Sequence, residues 1–149
     1  MPQLQLVQLI LSSYRRLVGE NLVPPDWSLD EAAAWLQNEA PFCVLAHDAS
    51  DDPRFIFANR AAQTCFEYRH DELIGLPSRL SAEAPNRAER EQLIARVATQ
   101  GYANGYRGLR IAKSGRRFWI EDVTMWNLID EAGVKHGQAA TYRQWRDAA

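Results

Sequence analysis

The sequence predicts an α+β fold: a five-stranded antiparallel sheet with a helical crossover on one face and flanking helices at the N-terminus. Three observations carry that prediction. Apolar residues keep helical spacing through the first 40 residues, then give way to short β-branched and aromatic runs at 41–47 and 54–58. Short helical segments with Gly and Pro stops fill residues 59–101. The last third alternates as strands broken by Gly-containing turns.

The first helix is QLQLVQLILSSYRRLV, residues 3–18. Leu4, Val7, Leu11, Tyr14 and Val18 form its stripe, and Leu6, Ile10 and Leu17 widen it. Gly19 and Asn21 supply stop signals, and Pro24-Pro25 prevents continuation. A second helix starts at Ser28, where Glu31 completes a capping box. PFCVLAH and RFIFA, separated by a turn at ASDDP, suit a hairpin. Asn59 can cap the next helix, which has Ala61, Ala62, Cys65 and Phe66 on one side. His70–Ile74 is one helical turn, ended by Gly75 and Pro77. Asn86 is expected to cap RAEREQLIARVATQ, whose Arg and Glu residues read as a solvated face. GYRGLRIA and RRFWIEDVTMWNLID then pair through a tight turn at Ser114-Gly115, and HGQAATYRQW is the final strand.

The 149 residues make one folded domain, with flanking helices at 1–40 and the main domain at 41–149. Net charge is −2, without the clustered basic excess of a nucleic-acid binder. The basic residues are mostly Arg, so positive sites are forks rather than point charges. Cys43 and Cys65 lack neighbours at zinc-ligand spacing and form no disulfide framework. The apolar run LVQLIL is too short to span a bilayer and lacks the marks of a secretory signal. These features predict a cytoplasmic protein, with neither nucleic acid nor membrane as partner.

FCVLAHD, FANRAAQTCFEY, ELIGLPSRLSAE, PNRAERE, GYRGLRI, GRRFWIEDVTMWNLID and GQAATY occur in an order that resembles the MEKHLA domain, a PAS-related family. The resemblance covers nearly the whole chain. It implies the PAS-like five-stranded sheet and a role in sensing, small-molecule binding or protein–protein contact. It names no cofactor, which stays unknown. Cys65 lies in CFEYRH rather than in a flavin-photoreceptor type of motif, and residues 87–100 hold no His for haem. No kinase, cyclase or DNA-binding segment follows, so any output is expected to pass through a separate partner.

With Ser114-Gly115 as a two-residue turn, Ile111 would face Phe118, Leu109 would face Ile120 and Arg107 would face Asp122. Thr124 and Trp126 would continue that face. Such an apolar wall with a few polar groups suits a ligand pocket. The alternative is that Arg107 and Asp122 are a solvent-side cross-strand pair. Gln138 would point inward to a ligand or satisfy a buried neighbour. Arg79 and Arg87 bracket a loop where guanidinium groups could hold an anion, or could tie the loop to Glu83, Glu89 or backbone carbonyls. The opposite face would carry Trp119, Val123 and Met125, an apolar patch. With Leu4, Val7, Leu11 and Tyr14 of the first helix, it forms the expected interface of a homodimer. His47, His70 and His136 lie in separate elements and make no metal set.

The leading reading is a stand-alone sensory or small-molecule-binding module in signalling, acting through a homodimer or an unidentified protein partner. A second reading is a ligand-free interaction module with a filled core. A third, a small enzyme with Asp122 as general base, lacks a second catalytic group placed by the sequence.

Overall fold

The computed structural model describes residues 1–148. Two helices, α1 (Gln3–Val18) and α2 (Leu29–Asn38), precede the hairpin β1 (Cys43–Asp48) and β2 (Phe55–Ala58). Then come α3 (Arg60–Phe66), α4 (His70–Leu73), a 3-10 turn at Ser78–Ser81 and α5 (Ala84–Gln100). The chain ends with β3 (Tyr102–Ile111), β4 (Arg117–Ile129), β5 (Lys135–Tyr142) and β6 (Gln144–Asp147). All pairings are antiparallel, in the order β2-β1-β5-β4-β3. The expected last strand is interrupted at Arg143, and β6 pairs with the first half of β4.

Local chemistry explains most of these limits. Gly19 closes α1 in the left-handed region, φ 85°, its N–H donating to Arg15 O. Ser28 and Glu31 form the capping box of α2. Asn59 caps α3 by accepting from Ala62 N at 3.1 Å. Its amide also donates to Leu36 O and Phe42 O, so one buried side chain ties α2, β1 and α3 together. α5 departs from expectation: it starts at Ala84, two residues before Asn86. Pro85 occupies its first turn, where a missing N–H breaks no helical bond.

The β3–β4 register also departs from expectation. Ala112 N donates to Arg116 O, which makes the turn a three-residue loop with Gly115 at φ 94°. The pairs are therefore Leu109↔Trp119 and Arg110↔Phe118, not Leu109 with Ile120 or Ile111 with Phe118. A slip of one residue moves side chains to the other face. A bulge follows: Gly108 pairs with Ile120 but Tyr106 with Val123, leaving one extra residue on β4 at Glu121-Asp122. Asp122 there adopts φ 51°, in the left-handed region. Beyond the bulge β4 reverses phase. Phe118, Ile120, Val123 and Met125 share the inner face, packed with residues of α3 and α5, while Trp126 and Leu128 lie on the outer face.

Helices cover both faces. On the outer face, Leu6, Val7, Ile10 and Tyr14 of α1 pack against Val44, Ala46, Trp126, Leu128 and Ala139. Trp126 Nε1 donates to Ile10 O, and Tyr14 meets its indole edge-on at 4.7 Å. Ser13 Oγ accepts from Ile129 N at 3.0 Å and donates to Ile129 O at 3.2 Å, so α1 pairs with backbone at the end of β4. On the inner face, α3 and α4 cover one half through Cys65, Phe66 and Leu73. Leu93 and Val97 of α5 cover the other against Ala103 and Met125. No helix among the described residues is long and apolar enough to cross a membrane.

Candidate functional site

Between α5, the 3-10 turn and the inner face of the sheet lies a cavity of about 60 Å³. Leu45, Phe55, Phe66, Met125 and Ala140 supply its apolar wall. His47, Ser81, Arg90, Arg110 and Gln138 supply its polar wall. Arg90 and Arg110 are only 6% and 7% exposed, a depth at which an unpaired charge is costly.

The backbone brings these groups together. Arg90 follows the helical spacing of Leu93 and Val97, so it shares their buried stripe on α5. Arg110 lies two residues beyond Gly108 on β3, and Tyr106 two residues before it, on the same face. A β-carbon at Gly108 would sit 2.5 Å from Tyr106 Oη and 2.8 Å from Arg110 Nη1. The glycine thus leaves the gap in which Arg110 donates to Tyr106 Oη at 3.3 Å. On the next strands His47 and Gln138 are direct partners in the β1–β5 register. Gly137 permits that approach, since a β-carbon there would lie 1.9 Å from His47 O.

A directional chain of hydrogen bonds joins the polar wall. Gln138 Nε2 donates to Ile94 O and to Asn127 Oδ1, both at 3.1 Å, which makes Gln138 Oε1 the acceptor from His47 Nε2. His47 Nδ1 then accepts from Ser78 Oγ at 3.2 Å, and Ser78 Oγ accepts in turn from Arg90 Nη2. Ser81 Oγ donates to Ser78 O at 2.7 Å and fixes the turn that carries Ser78. Burial, reinforced by the neighbouring Arg90, pushes His47 down from 6.5 to about 4, so its ring is neutral at pH 7. Burial and then the nearby Arg110 lower Arg90 to about 10, and it remains charged. Neither Arg90 nor Arg110 has a carboxylate partner among the described residues. Two positive charges therefore face one small cavity without a contact ion pair, Glu91 attracting Arg90 only from beyond hydrogen-bond distance.

The predicted site residues do not form one site: Asp122 and Thr124 share a separate cavity of about 230 Å³ with Tyr14, Glu20 and Arg143, and the others lie elsewhere. Gln138 points inward and joins the polar wall. Arg107 lies opposite the Glu121-Asp122 bulge in the register, on the outer face, but lays its guanidinium 3.8 Å above the Trp119 ring and forms no ion pair with Asp122 among the described residues. Asp122 sits exposed on the bulge, away from the inner cavity, which removes the geometry assumed for a general base there. Thr124 pairs with Thr141, and Trp126 is buried under α1 on the outer face. The slipped turn and the bulge account for all four displacements. Arg79 pairs with Asp52 at the surface, and Arg87 donates to Arg79 O and Ala82 O, so both tie down the loop.

The residues of the expected interface also separate. Val123 and Met125 face inward, because the bulge reverses β4, and cannot share an outer patch with Trp119. Val7 and Tyr14 are buried against the sheet of their own chain. Leu4 is 44% exposed, while Leu11 and Trp119 are half-buried. Sequence reasoning missed Arg90, Arg110, His47 and Ser78. Arg90 was legible from its i, i+3, i+7 spacing with Leu93 and Val97. Arg110 required the correct turn length.

A five-strand antiparallel path with this strand order, roofed by short helices and α5 over a polar cavity, is a PAS-like fold. The chain belongs to the MEKHLA domain family, whose profile matches residues 4–147. It is 30% identical over 115 residues to the homeobox-leucine zipper protein ATHB-9 of Arabidopsis thaliana. That match covers 74% of this chain and 13% of the relative, so the chain spans a small part of that protein. Among solved structures, it is similar to the PAS domain of a protein from Colwellia psychrerythraea, with a TM-score of 0.66, 21% identity and coverage of 80% and 96% of the two chains. An RNA-binding light-oxygen-voltage receptor gives a TM-score of 0.67 at 18% identity, covering 86% of this chain and 35% of the receptor. A light-oxygen-voltage domain studied with a flavin analogue gives 0.61 at 17% identity, covering 83% and 87%. At these identities the likeness is one of fold. The cavity of about 60 Å³ does not fit a flavin, since pockets for ligands of drug size run to roughly 300–1,000 Å³.

Proposed function

We propose that the chain is a sensory module that binds a small molecule between α5 and the inner face of the sheet. The observation that carries this reading is the polar wall of the cavity. Buried polar groups without a functional or structural partner are rare, and here two arginines converge on one space. Residues 1–40 serve as flanking helices that report the state of the main domain at 41–149. A bound molecule would bias two packings of those helices, and only by its difference in affinity for them. Signalling then runs through a homodimer or a protein partner, with Leu4, Leu11 and Trp119 as the residues of the expected interface that keep surface.

A ligand-free interaction module is the second reading. It draws on the aromatic filling of the inner face, where Phe66 and Phe118 meet edge-on at 5.0 Å and leave little space. One experiment separates the two. The purified protein is incubated with a small-molecule extract of cells, desalted, and weighed in native and denatured form. A sensor is expected to carry an excess mass that denaturation releases. Bare chains throughout would sink the sensory reading in favour of the interaction module. The native mass reports the homodimer in the same measurement.

A further inference from the structure

A guanidinium offers five N–H donors. Among the described residues, one donor of Arg90 and two of Arg110 find a protein acceptor: Ser78 Oγ, Leu109 O and Tyr106 Oη. Every buried side-chain N or O atom shut off from solvent has a partner. The guanidinium nitrogens without a partner, Nε and Nη1 of Arg90 and Nε of Arg110, are therefore ones that water can reach. No carboxylate among the described residues forms an ion pair with either arginine. Breaking a buried ion pair by removing one partner is strongly destabilising, because a buried charge is left uncompensated. Two such charges converging on one cavity, with free donors that solvent reaches, are open to an anion.

The rest of the lining narrows the choice. His47 accepts from Ser78 and donates to Gln138, so its ring is already engaged and neutral. Gln138 likewise has both ends occupied. The unfilled donors are then the arginines', and planar forks match a carboxylate in bidentate fashion. Opposite them stand Leu45, Phe55, Phe66 and Met125, which offer nothing to further polar groups. About 60 Å³ admits only a few heavy atoms.

We propose that this cavity binds a small monocarboxylate with a short apolar tail, the carboxylate held between Arg90 and Arg110 and the tail against Phe55, Phe66 and Leu45. The proposal rests on the sensory reading and names its ligand class. Binding completes the charge balance of the inner face and joins α5 to β3 through one anion.

The test is a titration with sodium butyrate, followed by the side-chain Nε–Hε resonances of the arginines and by the thermal midpoint. Sodium chloride at equal ionic strength controls for screening, 1-butanol for the tail alone, and sodium phosphate for a generic oxyanion. Butyrate is expected to give saturable shifts of the Arg90 and Arg110 resonances and to raise the midpoint. Sodium chloride and 1-butanol are expected to do neither. Arg90→Met and Arg110→Met should each weaken butyrate at least about tenfold, as loss of a charge-assisted bidentate contact requires. Arg110→Lys keeps the charge, serves where a Met variant fails to fold, and should also bind more weakly. Absence of a saturable response, wild-type affinity in the variants, or a response to phosphate with none to butyrate would each overturn the assignment. A neutral molecule recovered in the native-mass experiment would overturn it too, yet leave the sensory reading standing. Bare chains there, with no butyrate response, would end both.

Discussion

Arg90 and His47 sit two hydrogen bonds apart, and the Arg90 charge adds to burial in lowering the tendency of His47 to hold a proton. The consequence for stability has a definite sign. His47 titrates near 6.5 when unfolded and near 4 when folded, so the unfolded chain binds more protons between those values. Its contribution is full above pH 6.5 and is lost as pH falls towards 4, the loss reaching roughly 2–3 kcal/mol at pH 4.5. Urea unfolding of the wild type and of His47→Gln at pH 7 and pH 4.5 checks this. The variant is expected to lose less stability between the two pH values, by at least about 1 kcal/mol. Equal losses would show that the ring titrates as it does in the unfolded chain. Neither residue was legible as a site from its immediate neighbours. Arg90 lies in a run of Arg and Glu that has the look of a solvated face, and only its spacing to Leu93 and Val97 reveals the buried side.

At the scale of elements the sequence was legible where chemistry is local. The Ser28–Glu31 box, the Asn59 cap, the single turn at His70–Leu73 and the Gly101 stop each depend on residues within a few positions. The face of β4 was not legible, because it depends on a turn one residue longer than Ser114-Gly115 requires and on a bulge that no short motif announces. Those two features placed Thr124 and Trp126 outside the cavity and brought Val123 and Met125 in. The bulge is open to direct test. Asp122 holds φ 51°, a conformation that costs a non-Gly residue of order 1 kcal/mol and a β-branched one more. Asp122→Gly is expected to leave stability unchanged or raise it by up to about 1 kcal/mol, while Asp122→Val lowers it by about 1–3 kcal/mol. Denaturant midpoints decide the order of the three proteins. A strand without the bulge would reverse it, since Val favours regular strands and Gly weakens them.

Taken as one molecule, the fold puts the candidate site and α1 on opposite faces of the same two strands. His47 and Gln138 face the cavity, while their neighbours Ala46 and Ala139 face outward and pack in the cluster that contains Leu6, Val7 and Ile10. A ligand that steadies the His47–Gln138 pair therefore steadies the floor on which α1 rests. Whether α1 shares in that stabilisation depends on whether it opens alone or only with the whole domain. Amide exchange distinguishes the cases. At a ligand concentration of 100 times Kd, amides that exchange through global unfolding gain about 2.7 kcal/mol of protection. We expect the amides of α1 to gain as much as those of β4, because Trp126 Nε1 donates to Ile10 O and Ser13 bonds both backbone groups of Ile129. With Arg110→Met under the same conditions, an affinity about tenfold weaker leaves at most about 1.4 kcal/mol, and both elements should gain correspondingly less. A rise in β4 with no change in α1 would mean that the helix opens independently of the sheet. It would then be a poor carrier of the signal, and output would have to leave through another surface of the sheet.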